Sequence, residues 1–164
     1  MADIRLASVE EAPIAMAIWR EVSEWLADRE MPVWSPDEFD LGTTRQQAAA
    51  KELVIGFENS GPAACMLIQT GDPIYWPEKA EGTALYLHKI AVRRAFAGRG
   101  WGNRLIAWAV ERATKRGLPL RLDCLPRPVL MNFYRNCGFR PVDDGPVTLG
   151  GFTVVRHERP PDPD

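Results

Sequence analysis

A glycine-rich turn has the composition of an anion-binding loop. Gly98, Gly100 and Gly102 stand at every second position, and glycine lets the backbone approach a ligand closely. The turn leads into a predicted helix, whose first N–H groups favour negative charge. Three arginines of the same turn add positive charge, and they are Arg93, Arg94 and Arg99. The turn therefore predicts a site for an anion such as a phosphate, the alternative being a connection that only turns the chain.

The residues around these glycines exclude two common nucleotide sites. A Walker A loop needs Gly-Lys-Ser/Thr for the phosphates and magnesium, whereas this turn ends in Gly-Trp-Gly-Asn. A dinucleotide-binding turn needs the spacing G-x-G-x-x-G within a parallel βαβ unit, and here the spacing is G-x-G-x-G. A nucleic-acid site is also not expected, because the basic residues are interleaved through a predicted helix and strand.

The net charge of −2 hides an uneven distribution along the chain. Residues 1–87 carry a net charge of −9, residues 88–140 carry +10, and residues 141–164 carry −3. Such asymmetry is typical of a protein that binds an anion with one segment and accepts cations near another. The basic segment contains the glycine turn.

Apolar periodicity predicts the elements that must position this turn. Helices are expected from about Ser8 to Arg29, after Thr44, over 101–116 and over 126–137, and strands over 4–7, 52–58, 63–69, 83–92, 118–124, 139–142 and 152–157. Two irregular segments, Glu30–Thr44 and 70–82, carry aromatic residues that look exposed. Residues 1–159 are expected to form one domain and residues 160–164 a disordered tail.

The stretch LYLHKIAVRRAFAGRGWGNRLIAWAVERATKRG, followed by LRLDC and VLMNFYRNCGF, resembles the GCN5-related N-acetyltransferase (GNAT) family. The resemblance is strong from about Tyr86 to Phe139. It rests on the family's Arg/Gln-x-x-Gly-x-Gly/Ala loop after a strand ending in Val, and on a later Tyr-x-x-x-Gly-Phe motif that matches residues 134–139.

This resemblance implies an α/β (α+β) fold with a mixed, mostly antiparallel central sheet, flanked by about four helices and splayed at the cofactor site. It also implies acetyl-CoA as cosubstrate. The strand end would pair with the pantetheine arm, and the loop amides would hold the pyrophosphate. The implied cofactor-binding residues are Ile90, Ala91, Val92, Gly98, Arg99, Gly100, Trp101, Gly102, Asn103 and Arg127.

The sequence departs from the family pattern at two positions. The loop's usual Arg or Gln is Ala97, so one organising side chain is missing while the backbone donors remain. The Asn that commonly stands about seven residues before the tyrosine is Arg127, which we count as a candidate phosphate contact.

Two residues are the candidate catalytic groups. The family motif places Tyr134 beside the thioester sulfur, where a phenol with a pKa of about 10 can protonate the leaving thiolate. His88 is the candidate base or water relay for the acceptor amine. The surrounding segment resembles the arylalkylamine acetyltransferases, whose second strand histidine maps on His88 and whose first maps on Tyr86. The alternative for Tyr134 is a core tyrosine, and the alternative for His88 is a strand histidine that is held by its neighbours or faces solvent.

Aromatic residues near acidic ones suit a cationic acceptor amine. The candidate substrate residues are Trp25, Trp34, Tyr75, Trp76 and Tyr86, of which the two irregular segments supply three. The alternative is a solvated acidic loop anchored by a tryptophan. Cys124 is expected to be a packing residue rather than a nucleophile.

We therefore expect an N-acetyltransferase that moves acetyl directly from acetyl-CoA to a primary amine of a small molecule. The alternatives are a protein lysine or N-terminal acetyltransferase and a non-catalytic acyl-CoA sensor. The sequence has three cysteines, which cannot all pair within one molecule, and it shows no signal-peptide pattern or membrane segment. These features predict a cytoplasmic protein. We expect no metal, no nucleic acid and no membrane partner, and leave a homodimer open.

Overall fold

A mixed sheet and four helices make up the part of the chain that the computed structural model describes, residues 2–59 and 61–163. The strands are β1 (Asp3–Leu6), β2 (Leu53–Glu58), β3 (Gly61–Gln69), β4 (Leu85–Val92), β5 (Leu120–Cys124), β6 (Arg140–Pro141), β7 (Val147–Leu149) and β8 (Phe152–Arg159). The helices are α1 (Ala12–Asp28), α2 (Leu41–Ala49), α3 (Trp101–Lys115) and α4 (Pro128–Asn136).

The strands are hydrogen-bonded in the order β1-β2-β3-β4-β5-β8-β6, with β7 on β8. β4 and β5 are parallel, whereas β2 is antiparallel to β1 and β3, and β8 is antiparallel to β5, β6 and β7. The parallel ladder pairs Leu85 with Leu120 and Tyr86 with Arg121. This arrangement confirms the expected fold class.

The chain divides into two compact units, which are described separately. The N-terminal unit contains Met1–Ile68 and Lys89–Leu105, and the C-terminal unit contains Gln69–His88 and Ile106–Asp164. The expected single domain over residues 1–159 stays a prediction.

The start of α1 in the N-terminal unit follows from its local sequence. Ser8 and Glu11 form the expected capping box around a short 3-10 turn, and Arg5 donates two hydrogen bonds of 2.8 Å to the Glu11 carboxylate. Pro13 lies in the first turn, where a missing N–H costs nothing. The buried face of α1 packs on β2 and β3, and the members of this core include Ala15, Ile18, Trp19, Val22, Leu53, Ile55, Cys65 and Leu67.

The segment after α1 is shorter than expected. α2 begins at Leu41, so the prediction of an irregular segment up to Thr44 is wrong at its end. The reason is that the Asp40 side chain accepts a 2.7 Å hydrogen bond from the Thr43 N–H, which caps the helix so that it begins four residues earlier than expected. Phe39 is buried and stacks on Trp19 with ring centroids 5.3 Å apart.

β4 contains one residue in the left-handed region, Lys89, with φ of 52°. Trp19 Nε1 donates a 2.8 Å hydrogen bond to the Lys89 carbonyl oxygen, which fixes the backbone there. A strict strand alternation would place His88, Ile90 and Val92 on one face of β4, and Lys89 interrupts that alternation.

The C-terminal unit contains a strand that the sequence analysis missed. β7 pairs with β8 through Val147–Val154 and Leu149–Phe152, around a turn formed by Gly150 and Gly151 with φ of 56° and 83°. β7 has three residues and only half-buried apolar side chains, so it carries little periodic signal.

Other predicted boundaries agree with the structure to within a few residues. The hairpin of β2 and β3 is antiparallel as expected, although Ser60 of its turn lies outside the described residues. In the expected tail, Asp162 contacts Arg159 at 2.9 Å and its N–H donates to Thr114 Oγ1, whereas Asp164 lies outside the described residues. Of the helices described, none combines the length and apolarity needed to cross a membrane.

Candidate active site

The glycine turn adopts the conformation that its composition predicts. Gly98 and Gly100 have φ of 75° and 78°, a region that other residues rarely enter. A Cβ atom at either position would have no other group within 4 Å, so the backbone faces open space. The Arg104 N–H donates to the Gly100 carbonyl oxygen at 3.0 Å, and the N–H groups of the first α3 turn precede this bond. The turn is thus an open backbone cradle with the polarity of a helix start.

Two glutamates of the N-terminal unit hold the ends of this turn. Glu21 on α1 accepts a hydrogen bond of 2.9 Å from the Arg94 backbone N–H and lies 3.4 Å from Arg93 Nε. Glu58 on β2 contacts Arg99 Nη1 at 2.9 Å and Arg104 Nη1 at 3.5 Å. The two glutamates therefore neutralise part of the arginine charge, and the backbone cradle is fixed before any ligand binds.

Some of the expected cofactor residues offer only their backbone to a ligand. The Trp101 side chain is buried against Gly56 of β2, and Ala91 is part of the N-terminal core. Ile90 and Val92, by contrast, are half-buried. Arg127, half-buried, lies in the C-terminal unit as the residue before α4.

Tyr134 lies on α4 in an aromatic environment within the C-terminal unit. Its ring lies 6.0 Å from that of Phe139 and 6.2 Å from that of His157, between centroids. Burial raises the pKa of Tyr134 well above its usual range, and the charges of Cys124 and Asp123 raise it further. The phenol consequently keeps its proton at physiological pH and can donate it.

The Tyr-x-x-x-Gly-Phe motif ends α4 and positions this tyrosine. Gly138 has φ of 90°, and a Cβ there would lie 2.8 Å from Arg159 Nε. Arg159 Nε also donates to the Cys137 carbonyl oxygen at 3.0 Å. Phe139 is fully buried, so the motif ties the end of α4 into the core.

The thiols do not form a nucleophilic site. Burial raises the pKa of Cys124 to about 12 and raises that of Cys65 well above its usual range. Both thiols therefore stay protonated, and packing remains the role we assign to Cys124.

His88 belongs to a cluster that the sequence analysis did not find. Its Nε2 lies 3.5 Å from Asp72 Oδ2, and Asp123 of β5 completes a group in which one donor or acceptor atom of each residue lies within 4.8 Å of the others. All three residues are in the C-terminal unit. Burial, and then the charge of Asp72, raise the pKa of Asp123 to about 7. These atoms are close enough to exchange a proton or to surround one small cation. The sequence signal for this cluster was a single carboxylate, that of Asp123, within the otherwise mostly apolar strand LRLDC.

The expectation that Trp76 is exposed is wrong. Trp76 and Tyr86 are each 1% exposed and pack edge to face with centroids 6.0 Å apart. The guanidinium groups of Arg121 and Arg156 lie over the Trp76 ring, and Arg121 Nη1 donates to Tyr86 Oη at 2.9 Å. Arg121 is itself bonded to Glu158. The two aromatic residues therefore support the C-terminal unit and present almost no surface to an acceptor.

The other aromatic candidates are half-buried. In the N-terminal unit, the guanidinium groups of Arg29 and Arg94 lie 4.1 and 3.6 Å from the centroid of the Trp25 ring, and Trp34 packs edge to face on Phe39. Tyr75 lies in the C-terminal unit, where its carbonyl oxygen accepts from Arg156. Of these, Trp25 is directly linked to the glycine turn through Arg94.

Comparisons with known proteins agree with this geometry. Residues 19–139 match the acetyltransferase (GNAT) family. The chain is 30% identical over 143 residues to the uncharacterized N-acetyltransferase YesJ of Bacillus subtilis, which covers 79% of this chain and 77% of YesJ.

Solved structures show the same fold. A GNAT-family acetyltransferase of Streptococcus agalactiae superposes with a TM-score of 0.80 at 21% identity, covering 99% of this chain and 96% of that one. The acetyltransferase yncA of Salmonella typhimurium, solved with its cofactor acetyl-CoA, gives a TM-score of 0.73 at 14% identity over 100% and 96% of the two chains. With the family match over most of its length, the chain belongs to the acetyltransferase (GNAT) family and is an N-acetyltransferase of class EC 2.3.1.

Proposed function

We propose that this enzyme transfers the acetyl group of acetyl-CoA directly to a primary amine of a small molecule. The observation that carries the proposal is the left-handed turn at Gly98 and Gly100, which opens onto the first turn of α3. The open space at both glycines fits a diphosphate, because backbone N–H groups can then approach its oxygens without a side chain between them.

Each proposed binding residue has a distinct role. The backbone from Gly98 to Asn103 would hold the diphosphate, with Arg99 and Arg104 adding charge at the rim. The backbone of Ile90–Val92 would pair with the pantetheine arm, and Arg127 would contact a phosphate. Acetyl-CoA supplies the activated acetyl thioester.

The proposed chemistry needs two proton transfers. His88 takes a proton from the acceptor ammonium, directly or through water, because only the neutral amine is a nucleophile. Tyr134 donates its proton to the departing sulfur. The Tyr-x-x-x-Gly-Phe motif supports this assignment, and the phenol is protonated throughout the physiological range.

An amine acceptor of positive charge fits the charge pattern. The segment before His88 has a net charge of −9, and the described carboxylates of Asp72 and Asp123 lie beside the proposed base. The similarity of the His88 segment to the arylalkylamine acetyltransferases supports an acceptor with an aromatic or alkyl body. Trp25, Trp34 and Tyr75 are the aromatic side chains proposed to contact it.

The test is release of the CoA thiol from acetyl-CoA across a panel of small amines, with lysine-containing peptides and free peptide N-termini as the second arm. We expect turnover with at least one small cationic amine and much less with the peptides. Faster turnover of the peptides would reassign the enzyme to protein acetylation. Thiol release that no amine or peptide stimulates would overturn the proposal.

A non-catalytic acyl-CoA sensor is the second candidate, and Ala97 favours it because the loop lacks the family's usual Arg or Gln. Calorimetry separates the two functions. Tight CoA binding without acetyl transfer to any acceptor, and without an effect of Tyr134→Phe, would support the sensor.

A further inference from the structure

A buried carboxylate oxygen points at His88. Asp72 Oδ1 accepts hydrogen bonds from the N–H groups of Ile74 and Tyr75 at 3.2 and 3.0 Å, so the carboxylate is fixed on its own loop. Its other oxygen, Oδ2, is buried, accepts no hydrogen bond within the described part of the chain, and lies 3.5 Å from His88 Nε2. The Asp72 side chain is 5% exposed and that of His88 is 20% exposed. The imidazole thus connects a buried carboxylate to solvent.

Asp123 adds a second carboxylate to the same place. Tyr86 of β4 pairs with Arg121 of β5 in the parallel ladder, and His88 and Asp123 each lie two residues further along their strands. The side chains of His88 and Asp123 therefore lie on the same face of neighbouring strands. Two carboxylates this close and largely out of water favour a state in which one of them, or the imidazole, holds a proton. The pKa of about 7 for Asp123 agrees with such sharing.

The charged groups on the surrounding elements are already paired. Arg121, on the same strand as Asp123, is bonded to Glu158 on β8 and to Tyr86 on β4. Arg156, opposite Asp123 on β8, makes hydrogen bonds of 2.9 Å to Asp143 and 2.7 Å to Glu78.

Two further titratable groups, from α4 and β5, interact electrostatically with Asp123. Tyr134 on α4 keeps its proton, and so does Cys124 on β5, because the pKa values of both are raised. Since these charges are paired and these protons are held, the cluster itself can exchange a proton in the physiological range.

We propose that Asp72, His88 and Asp123 act as one proton-accepting group for the acceptor amine. His88 is the catalytic residue that receives the proton, whereas Asp72 and Asp123 are positioning residues that stabilise the imidazolium. This inference rests on the proposed acetyl transfer. It names the residues that make the His88 imidazole basic enough to accept a proton from an ammonium group.

The proton balance of the reaction is complete with this group. The acceptor ammonium loses one proton to the His88 ring, and the neutral nitrogen forms a bond to the acetyl carbonyl carbon. The C–S bond breaks with its electron pair on sulfur, which takes a proton from Tyr134. The new amide nitrogen loses its second proton, which restores the Tyr134 hydroxyl. The proton on the cluster leaves to water, so one proton is released for each acetyl group transferred.

The imidazole signals of the free protein test the coupling without any acceptor. The chain has two histidines, so a His88→Gln variant assigns the proton NMR signals of both rings. His157, whose Nδ1 lies 3.1 Å from the Val155 carbonyl oxygen, is the internal reference. Asp72→Asn and Asp123→Asn remove one carboxylate each, and asparagine at position 72 keeps the Oδ1 acceptor for the loop. Asp144→Asn, at an exposed position of the same unit, is the matched control.

We expect the pH at which the His88 signal titrates to fall by about one unit in Asp72→Asn and in Asp123→Asn. The Asp144→Asn control and the His157 signal should not move. Midpoints for His88 that stay within about 0.2 units of wild type in both variants would overturn the proposal. So would a His88 titration that EDTA alters, because a bound cation and not a shared proton would then neutralise the carboxylates.

The pH profile of kcat/KM, measured with an amine that the enzyme acetylates, tests the catalytic role. The acidic limb should move to lower pH in Asp123→Asn by the same amount as the His88 signal, and the plateau should fall because the base is weaker. A limb that stays in place while the NMR midpoint moves would refute the catalytic role alone. Absence of turnover in wild type with every amine would instead overturn the proposed function, and the NMR result would still show whether the cluster is coupled.

Discussion

Tyr134 combines the two properties that a catalytic acid for a thiolate needs. It is protonated because the usual pKa of a phenol, about 10, already lies above physiological pH and burial raises it further. It is fixed because the chain after α4 is held by Gly138 and the buried Phe139. A phenol that packs only as a core residue would show the same contacts, so removal of its hydroxyl group separates the two roles.

The first prediction is that Tyr134→Phe lowers kcat by about 10- to 1,000-fold. The affinity for CoA should change little, because the ring and its packing remain. Steady-state kinetics and calorimetry measure the two quantities. Thermal unfolding of Tyr134→Phe checks that the variant keeps the stability of wild type. A kcat equal to that of wild type would remove Tyr134 from the mechanism.

Ionised Asp123 lowers the free energy of unfolding, and the size of this effect depends on pH. Its pKa in the folded protein is about 7 against a usual 3.8, because burial and then Asp72 disfavour the charged form. The folded state therefore binds more protons than the unfolded state between about pH 4 and pH 7, and the free energy of unfolding falls as the pH rises through that window.

The second prediction follows from this sign. Asp123→Asn should stabilise the protein more at pH 8 than at pH 4. The change that it causes in the free energy of unfolding should be more favourable at pH 8 by about 1 to 3 kcal/mol. Thermal unfolding of wild type and variant at both pH values measures the difference, with Asp144→Asn as the control for loss of an exposed charge. Equal effects at pH 4 and pH 8 would mean that Asp123 is ionised without penalty.

The residues of the site were only partly predictable from sequence. His88 and Tyr134 were visible because their side-chain types and motif positions indicate proton transfer. Asp72 and Asp123 were not, because a loop and the parallel pairing of β4 with β5 bring them to His88 from distant positions. The burial of Trp76 was also not predictable, since this loop residue is covered by Arg121 of β5 and Arg156 of β8.

At the level of elements, two substitutions at one position of the glycine turn can separate the effect of backbone conformation on CoA binding from the effect of charge. An Asp or Asn at position 100 has the same shape and tolerates the left-handed region equally well. Only Asp would place a negative charge beside the proposed diphosphate.

The third prediction is therefore that Gly100→Asp weakens CoA binding by at least about tenfold more than Gly100→Asn. Calorimetric titration with CoA gives both values, and thermal unfolding checks that the two variants are equally folded. Equal affinities in the two variants would contradict the assignment of the turn to the diphosphate.

The contact between β2 and the start of α3 fixes the helix that carries the turn. Gly56 faces the buried ring of Trp101, and an added Cβ would overlap that ring. β2 also has its register irregularity at Gly56 and Phe57, so the strand bends where the tryptophan lies against it.

The fourth prediction is that Gly56→Ala lowers the free energy of unfolding by about 1 to 3 kcal/mol, because the ring and the strand must move apart. Chemical denaturation measures the change. Gly145→Ala, where a Cβ meets nothing within 4 Å, should have an effect near zero. Equal stability of the two variants would show that the strand adjusts without cost.

Long elements with strong periodicity were predictable, and short ones were not. α1 and α3 carry apolar residues at helical spacing over several turns, and their bounds differ from the prediction by a few residues at most. The start of α2 depends on one cap at Asp40, and β7 depends on its pairing with β8, so neither has a periodic signal.

At the level of the whole molecule, the structure refines the charge argument. The basic segment holds a net charge of +10, but Glu21 and Glu58 already pair with arginines of the glycine turn, and Glu158 pairs with Arg121. We therefore expect a phosphate at the turn to meet a weaker field than the charge count predicts, and the backbone cradle to have the larger part in binding.

The fifth prediction is a moderate dependence of CoA binding on salt. The Kd for CoA should rise by about three- to tenfold between 50 and 500 mM NaCl, since partly exposed charges are screened while backbone hydrogen bonds are not. Calorimetry at several salt concentrations gives the slope. A much steeper rise would mean that free arginine charge, not the backbone, dominates.

The contact of Trp25 with the guanidinium group of Arg94 makes this tryptophan an optical reporter of the glycine turn. Arg94 belongs to the chain that leads into the turn, and its guanidinium lies 3.6 Å from the Trp25 ring. Indole emission is sensitive to a cation at its face, so any event that draws Arg94 away changes the fluorescence of Trp25. We therefore expect a ligand that displaces Arg94 to change the intrinsic fluorescence, and a Trp25→Phe variant separates this change from the signal of the other five tryptophans.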